Sequence, residues 1–209
     1  MKLLVIGASG PLGLEVVKMA LKRSFLVSAF VRTPESFKGA SSGVRAIRGD
    51  VFDLKSLEQA MIGHDAVIST FGTQLIRKPT TLLSDGTKNI VKAMESSGVH
   101  RFVCVTGIGA GNSKGHGGFL YDKILEPFLL HEIYNDKTRQ EEVIKKSSLE
   151  WTIVRPAVLT NGPETGNYRI ANDLFGFTAT KISRKDVADF LLNEVMSNKC
   201  QKQSPVVSY

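Results

Sequence analysis

Residues 3–6 (Leu-Leu-Val-Ile) are an unbroken apolar run. It passes directly into Gly7-Ala8-Ser9-Gly10-Pro11-Leu12-Gly13, and apolar residues then recur at helical spacing: Leu14, Val16, Val17, Ala20 and Leu21. A short apolar run without polar alternation describes a strand covered on both faces, as in a parallel sheet. The glycine turn and the helix that follows aim free backbone N–H groups, and the positive end of the helix dipole, at one spot. In that arrangement Gly7 suits a tight turn, Gly10 a close approach of backbone to a pyrophosphate, and Gly13 close packing of the helix. The spacing is Gly-x-x-Gly-x-x-Gly, not the Gly-x-Gly-x-x-Gly of the commonest dinucleotide-binding loops, and it points to a different branch of them.

The same alternation continues along the chain. Strand-like runs fall near residues 2–7, 25–31, 44–47, 66–69, 101–105, 151–154 and 179–182. Helical patterns fall near 11–23, 54–61, 80–97, 119–131 and 134–147, with a last one after Ser183. Asp53 and Ser183 suit helix N-caps, Gly98 suits a C-cap, and Val206-Val207 can add a final strand. Strands that alternate with helices predict an α/β fold: a Rossmann-type doubly wound, mostly parallel sheet with helices on both faces. At 209 residues the chain reads as one nucleotide-binding domain, with a small substrate-side region from about 155 to 209. Residues 106–118, rich in glycine, follow a strand end on the edge where ligands bind in such sheets. They read as a flap over a cofactor, against the plainer alternative of a mobile surface loop.

Composition narrows the class. No apolar run approaches the roughly 20 residues that span a bilayer, and the N-terminus lacks a signal-peptide pattern, so a cytoplasmic protein without membrane contact is expected. Cys104 lies within an apolar strand and Cys200 near the C-terminus, which is no disulfide framework. His64, His100, His116 and His131 are scattered, so no metal site is expected. The net charge of +7 raises nucleic-acid binding. The basic residues are dispersed and not interleaved with aromatics, so a solvated basic surface and a phosphate-rich cofactor account for the charge better. A small-molecule substrate and a monomer or small homo-oligomer are the expected associations.

The end of the second strand separates the two nicotinamide cofactors. An acid there accepts hydrogen bonds from the ribose hydroxyls of NAD, whereas a base meets the 2′-phosphate of NADP. Here Ala29-Phe30-Val31 is followed by Arg32, with no acid before Glu35. The guanidinium fork suits a phosphate, so NADP(H) is preferred over NAD(H). Ser9 can add a hydroxyl donor. Asp50 and Val51 after the third strand, and Phe71, Gly72 and Thr73 after the fourth, place further ligand-type residues at successive strand ends.

Taken together, Gly7-x-Ser9-Gly10-x-x-Gly13, Val31-Arg32, Gly49-Asp50-Val51, Asp65-Ala66-Val67-Ile68, Gly86-Thr87-Lys88-Asn89-Ile90-Val91 and Trp151-Thr152-Ile153-Val154-Arg155-Pro156 resemble the atypical short-chain dehydrogenase/reductases. Within them the chain looks like the NAD(P)H-binding, NmrA-like group, and it is also similar to the biliverdin-IXβ reductase/flavin reductase. The resemblance implies NADP(H) laid across the strand C-termini. Gly7, Ser9, Gly10, Pro11, Leu12 and Gly13 would then lie at the phosphates, Arg32 at the 2′-phosphate, and Asp50 and Val51 at the adenine. Phe71, Gly72, Thr73, Thr106, Lys137, Pro156, Ala157 and Val158 would lie along the ribose and nicotinamide. The superfamily's usual Ser, Tyr and Lys are only partly kept. Lys137 matches the lysine, but Ile133 stands at the tyrosine position and Gly107 at the serine position. Tyr134 lies about 100° further round a helix and is expected to point elsewhere. Lys137, Thr106 and Tyr134 are therefore the catalytic candidates, with His116 and Tyr121 as possible substrate contacts. The expected function is NADPH-dependent hydride transfer to a conjugated acceptor such as a flavin or quinone, without a Ser-Tyr-Lys triad. The alternative is an NADP(H)-binding sensor or partner-binding protein that does not turn over.

Overall fold

The computed structural model describes residues 1–37, 39, 43–73, 78–118 and 130–209. The helical pattern near 119–131 and Tyr121 fall largely or wholly outside them. Ten strands are present among the described residues: β1 (Lys2–Ile6), β2 (Leu26–Val31), β3 (Val44–Arg48), β4 (Ala66–Ser69), β5 (Arg101–Val105), β6 (Glu150–Pro156), β7 (Val158–Thr160), β8 (Arg169–Ala171), β9 (Lys181–Ser183) and β10 (Val206–Ser208). The α-helices among the described residues are α1 (Pro11–Lys22), α2 (Leu54–Met61), α3 (Leu82–Ser97), α4 (His131–Lys145) and α5 (Arg184–Ser197). Eight strands form one sheet in the order β3-β2-β1-β4-β5-β6-β10-β8, and β7 pairs with β9 apart from it. Every pairing in the large sheet is parallel except β10 with β8.

Both faces of the sheet are covered, and the side-chain period of two distributes the apolar run of β1 between them. Leu3 and Val5 join the core formed with α1 and α5, while Leu4 and Ile6 join the core formed with α2, α3 and α4. The anticipated caps are present. Asp53 accepts from the amides of Lys55 and Ser56, Gly98 ends α3 in the left-handed conformation, and Ser183 accepts from the Asp186 amide. The short strands β7 and β8 lie in a stretch that reads as loop in the sequence. Three residues among Gly, Asn and Pro carry too little periodicity to announce a strand, and their partners β9 and β10 are distant in the chain. Cys104 is fully buried, and that burial pushes its thiol up to about 12. No helix among the described residues is long and apolar enough to cross a membrane.

Strand order reverses between β1 and β4, the switch point where ligands bind in doubly wound sheets. The phase of α4 matters equally. Its buried Asp136 accepts from the amides of Leu83 (2.7 Å) and Ser84 (3.3 Å) at the start of α3, and Gln140 donates to Thr87 at 2.9 Å. Asp136 and Gln140, one turn apart, thus bind α4 to α3. That fixes Lys137 and Glu141, the next pair along the helix, toward the ends of β5 and β6.

Candidate functional site: a dinucleotide cradle and a Tyr–Lys pair

The loop between β1 and α1 is built around its glycines. Gly7 has a φ of +78°, and a methyl group on it would lie 2.7 Å from Phe71 N and from the Thr70 carbonyl carbon. The loop ends of β1 and β4 therefore touch through backbone alone, fastened by Thr70 Oγ1, which donates to the carbonyls of Ile6 and Gly7. A methyl on Gly13 would lie 2.3 Å from the Gly7 carbonyl oxygen, so α1 starts flush against the turn. Gly10 caps α1 with no side-chain hydrogen bond, and the first turn holds no acid. Ser9 and Pro11 are exposed and Leu12 is buried in the core. The first-turn N–H groups lack a side-chain partner, which is what an anionic pyrophosphate requires, so these residues fit the dinucleotide that the fold implies. The first turn of α1 also borders a cleft of ≈ 280 Å³ that Asn161, Gly162, Arg184 and Lys185 line as well.

At the end of β2, Arg32 is exposed, and among the described residues it has no acidic partner. The nearby acid, Glu35, is engaged by Arg48 at 2.6 Å, and Arg48 also donates to the Arg32 carbonyl. Asp50 sits at the end of β3 with its carboxylate on the Phe52 amide at 3.0 Å. Val51 is buried and meets Phe71 over Gly86 of α3. Gly72 is exposed and Thr73 half-buried. The sheet therefore brings Gly7–Gly13, Asp50 and Phe71–Thr73 to one edge.

Farther along that edge the sequence expectation needs a correction. Tyr134 does not point away. A methyl placed on Gly107 would lie 3.0 Å from Tyr134 Oη and 3.1 Å from Lys137 Nζ, so the hydroxyl and the ammonium meet at the end of β5. The helix geometry explains it: seen down the axis, Ile133 and Tyr134 straddle Lys137 at about 40° and 60°. Ile133 turns into packing, with 7% of its surface exposed, and the longer Tyr134 reaches the edge. Lys137 Nζ donates to the Thr106 carbonyl at 2.6 Å and lies 4.7 Å from the Tyr134 ring centroid, a cation–π contact.

Two further expectations change in detail. Thr106 does not offer its hydroxyl to a ligand: the side chain is buried and donates to Glu141 at 2.9 Å. The glycine-rich segment is neither a free flap nor a loose loop across its first half. Thr106 to Ala110 are buried, Ile108 N donates to the Pro156 carbonyl, and Gly109 N donates to Ser113 Oγ. His116 is tied down too, its Nδ1 lying 3.1 Å from the Phe177 carbonyl. Pro156 and Ala157 are buried at the end of β6, while Val158 is 47% exposed.

A group that the sequence reading passed over lies directly behind Lys137. Glu141 and Arg155 are each 1% exposed and are doubly hydrogen-bonded, Nε to Oε1 at 2.8 Å and Nη2 to Oε2. Lys145 adds a bond to Oε2 at 3.0 Å, and Arg155 Nη1 donates to Asn112 at 2.6 Å. Burial pushes the Glu141 carboxyl up, but the bonds and charge of Arg155, helped by Lys145, outweigh it and hold the group below its ordinary value. The only hint in the sequence is four-residue spacing: Lys137, Glu141 and Lys145 share one helix face.

Comparison with known proteins agrees with the fold and with a nicotinamide-dinucleotide ligand. A model of the NAD(P)H-binding family matches residues 7–198. An uncharacterized chloroplastic protein of Arabidopsis thaliana is 32% identical over 228 residues, covering all of this chain and 80% of that protein. An uncharacterized sugar epimerase of Bacillus subtilis is 31% identical over 195 residues, covering 90% of this chain and 85% of that protein. Two solved structures share the fold. An anaerobillin reductase from Escherichia coli O157:H7 has a TM-score of 0.84 at 22% identity and covers 100% of this chain and 97% of that one. A short-chain dehydrogenase/reductase from Veillonella parvula in complex with NADP has a TM-score of 0.85 at 18% identity and covers 100% and 94%. The family match takes in the glycine cradle, the Tyr134–Lys137 helix and α5, and the chain belongs to the NAD(P)H-binding family.

Proposed function

We propose that the protein is an NADPH-dependent oxidoreductase that reduces a conjugated acceptor of the flavin or quinone class. The observation that carries this reading is the meeting of Tyr134 Oη and Lys137 Nζ at Gly107, on the sheet edge that holds the glycine cradle. NADPH, when bound, supplies a hydride. The residues of the chain do the rest. The Gly7–Gly13 loop and the α1 N-terminus hold the pyrophosphate, and Arg32 pairs with the 2′-phosphate. Lys137 has three N–H donors; one stays on the Thr106 carbonyl and another reaches a ribose hydroxyl. Tyr134 Oη donates to a heteroatom of the acceptor.

The site offers no second hydroxyl in the place of the superfamily serine. Thr106 spends its hydroxyl on Glu141, and a side chain at position 107 would press on Tyr134 and Lys137. An isolated carbonyl concentrates the incoming charge on one oxygen and calls for two donors. A flavin or quinone spreads it over a ring system, so one donor and a dry edge suffice. The exposed Val158, which follows the buried Pro156 and Ala157, provides apolar surface at that edge. The NADP complex and the anaerobillin reductase among the structural neighbours are consistent with this reading. The Bacillus subtilis relative, an uncharacterized sugar epimerase, raises a different substrate class, a sugar.

The test mixes the protein with NADPH and FMN, or with a quinone, without oxygen, and follows loss of the reduced-nicotinamide absorbance. A parallel arm incubates nucleotide sugars with NADP⁺ and analyses products. Acceptor-dependent oxidation above the no-protein rate is expected. Rates equal to that control across the panel overturn the reading, and NADPH that raises the melting temperature without turnover favours the sensor alternative.

A further inference from the structure

We infer that the buried Arg155–Glu141 pair is a positioning device that sets Lys137 through Thr106. The inference rests on the reading above, in which Lys137 binds the nicotinamide ribose.

One carboxylate collects four donors here: Thr106 Oγ1 and Arg155 Nε on Oε1, Arg155 Nη2 and Lys145 Nζ on Oε2. The donors come from β6, α4 and the residue that follows β5, the segments that bring Lys137 and Gly107 together. The glycine segment closes over the pair. Asn112 accepts from Arg155, and a methyl on Gly111 would lie 2.7 Å from both Arg155 Nη2 and Glu141 Oε2. Gly111 has a φ of +55°, and its amide donates to Thr138, the neighbour of Lys137.

Thr106 is held on three sides. Its amide donates to the Val154 carbonyl at 2.9 Å, its hydroxyl to Glu141 at 2.9 Å, and its carbonyl receives Lys137 Nζ at 2.6 Å. The first two bonds fix the plane of the third. Glu141 lies one turn beyond Lys137 on the same face of α4, so a shift of that turn against β6 would carry both residues. The stability argument for keeping such a pair is weak, because two desolvated charges commonly add little over apolar packing. A pair whose hydrogen bonds lead in one step to the residue that holds the lysine has a directional use that apolar side chains lack.

The test is a set of mutant cycles read by calorimetric titration of NADP⁺, which needs no turnover. Lys137→Met is expected to weaken binding. Glu141→Gln and Thr106→Val are each expected to weaken it by about three- to tenfold in the parent, and by less than about twofold when Lys137 is already Met. A merely structural role lowers the melting temperature while the effects on affinity stay absent or add to that of Lys137→Met; either result overturns the inference. An unchanged affinity in Lys137→Met overturns the ribose assignment itself, and the inference with it. If Glu141→Gln fails to fold with Arg155 left uncompensated, Thr106→Val decides, since it removes one hydrogen bond and leaves the ion pair intact.

Discussion

Two glycines of the cradle, three residues apart, should fail in opposite ways when changed to alanine. At Gly7 the backbone is left-handed, with φ +78°, and the added methyl would meet three backbone atoms of Thr70 and Phe71 at 2.7–2.8 Å. The left-handed conformation costs a side chain about 1–2 kcal/mol. Forcing apart the ends of β1 and β4 adds about 1–3 kcal/mol, the usual cost of overpacking. For a chain of this length about 1 kcal/mol moves the melting temperature by about 2–4 °C, so Gly7→Ala should lower it by roughly 4–20 °C. At Gly10 φ is −73°, and the methyl would meet only the Gly7 carbonyl oxygen, at 3.3 Å. The loss of a glycine N-cap and the gain from a stiffer unfolded chain are each below about 1 kcal/mol and oppose one another. Gly10→Ala should therefore melt within about 2 °C of the parent. Its methyl nevertheless occupies space where backbone must approach the pyrophosphate, and NADP⁺ affinity should fall by about tenfold or more. Thermal unfolding without cofactor, followed by calorimetric titration, separates the two. A Gly10→Ala protein that melts as early as Gly7→Ala, or binds NADP⁺ as tightly as the parent, would refute the reasoning.

Three further outcomes are expected. Arg32→Ala should weaken NADPH binding far more than NADH binding, and equal losses would remove Arg32 from the 2′-phosphate. Tyr134→Phe should cut acceptor reduction by about 10²-fold, the scale of a lost general acid, with NADPH affinity unchanged; parent-like turnover would show that solvent supplies the proton. Glu141 is held below its ordinary value near 4.5, so the unfolded chain takes up that proton first as pH falls. The stability its carboxylate contributes is complete above about pH 4.5 and is lost as pH drops through the lower folded value. Urea midpoints measured from pH 7 downward should decline through that window in the parent. Glu141→Gln should start lower and lack that component, and parallel curves would contradict the assignment.

Much of the fold is legible in the chain because its signals are local. The runs at β1, β4 and β5 are short, apolar and bounded by turn residues, and Asp53, Gly98 and Ser183 mark helix ends with the side chain or conformation each end requires. The strands β7 and β8 were not legible, because each is three residues long and is stabilised by a partner remote in sequence. In the site, the cradle and Arg32 follow from residue order alone. The position of the Tyr134 hydroxyl does not follow from residue spacing, which gives angles between neighbours on a helix but not the absolute rotation of the helix against the sheet. Asp136, buried against the start of α3, sets that rotation.

The sequence by itself determined the architecture and the class of ligand. Apolar period, cap residues and the Gly7–Gly13 spacing act over a few residues, where covalent geometry and local hydrogen bonding decide the outcome. Tertiary structure alone decided what stands at the end of β5. Gly107, Tyr134 and Lys137 meet there, and Glu141 and Arg155 lie behind them, because α4 docks on α3 at one rotation and β6 pairs with β5 in one register. Those contacts join segments separated by tens of residues, and no local preference encodes them.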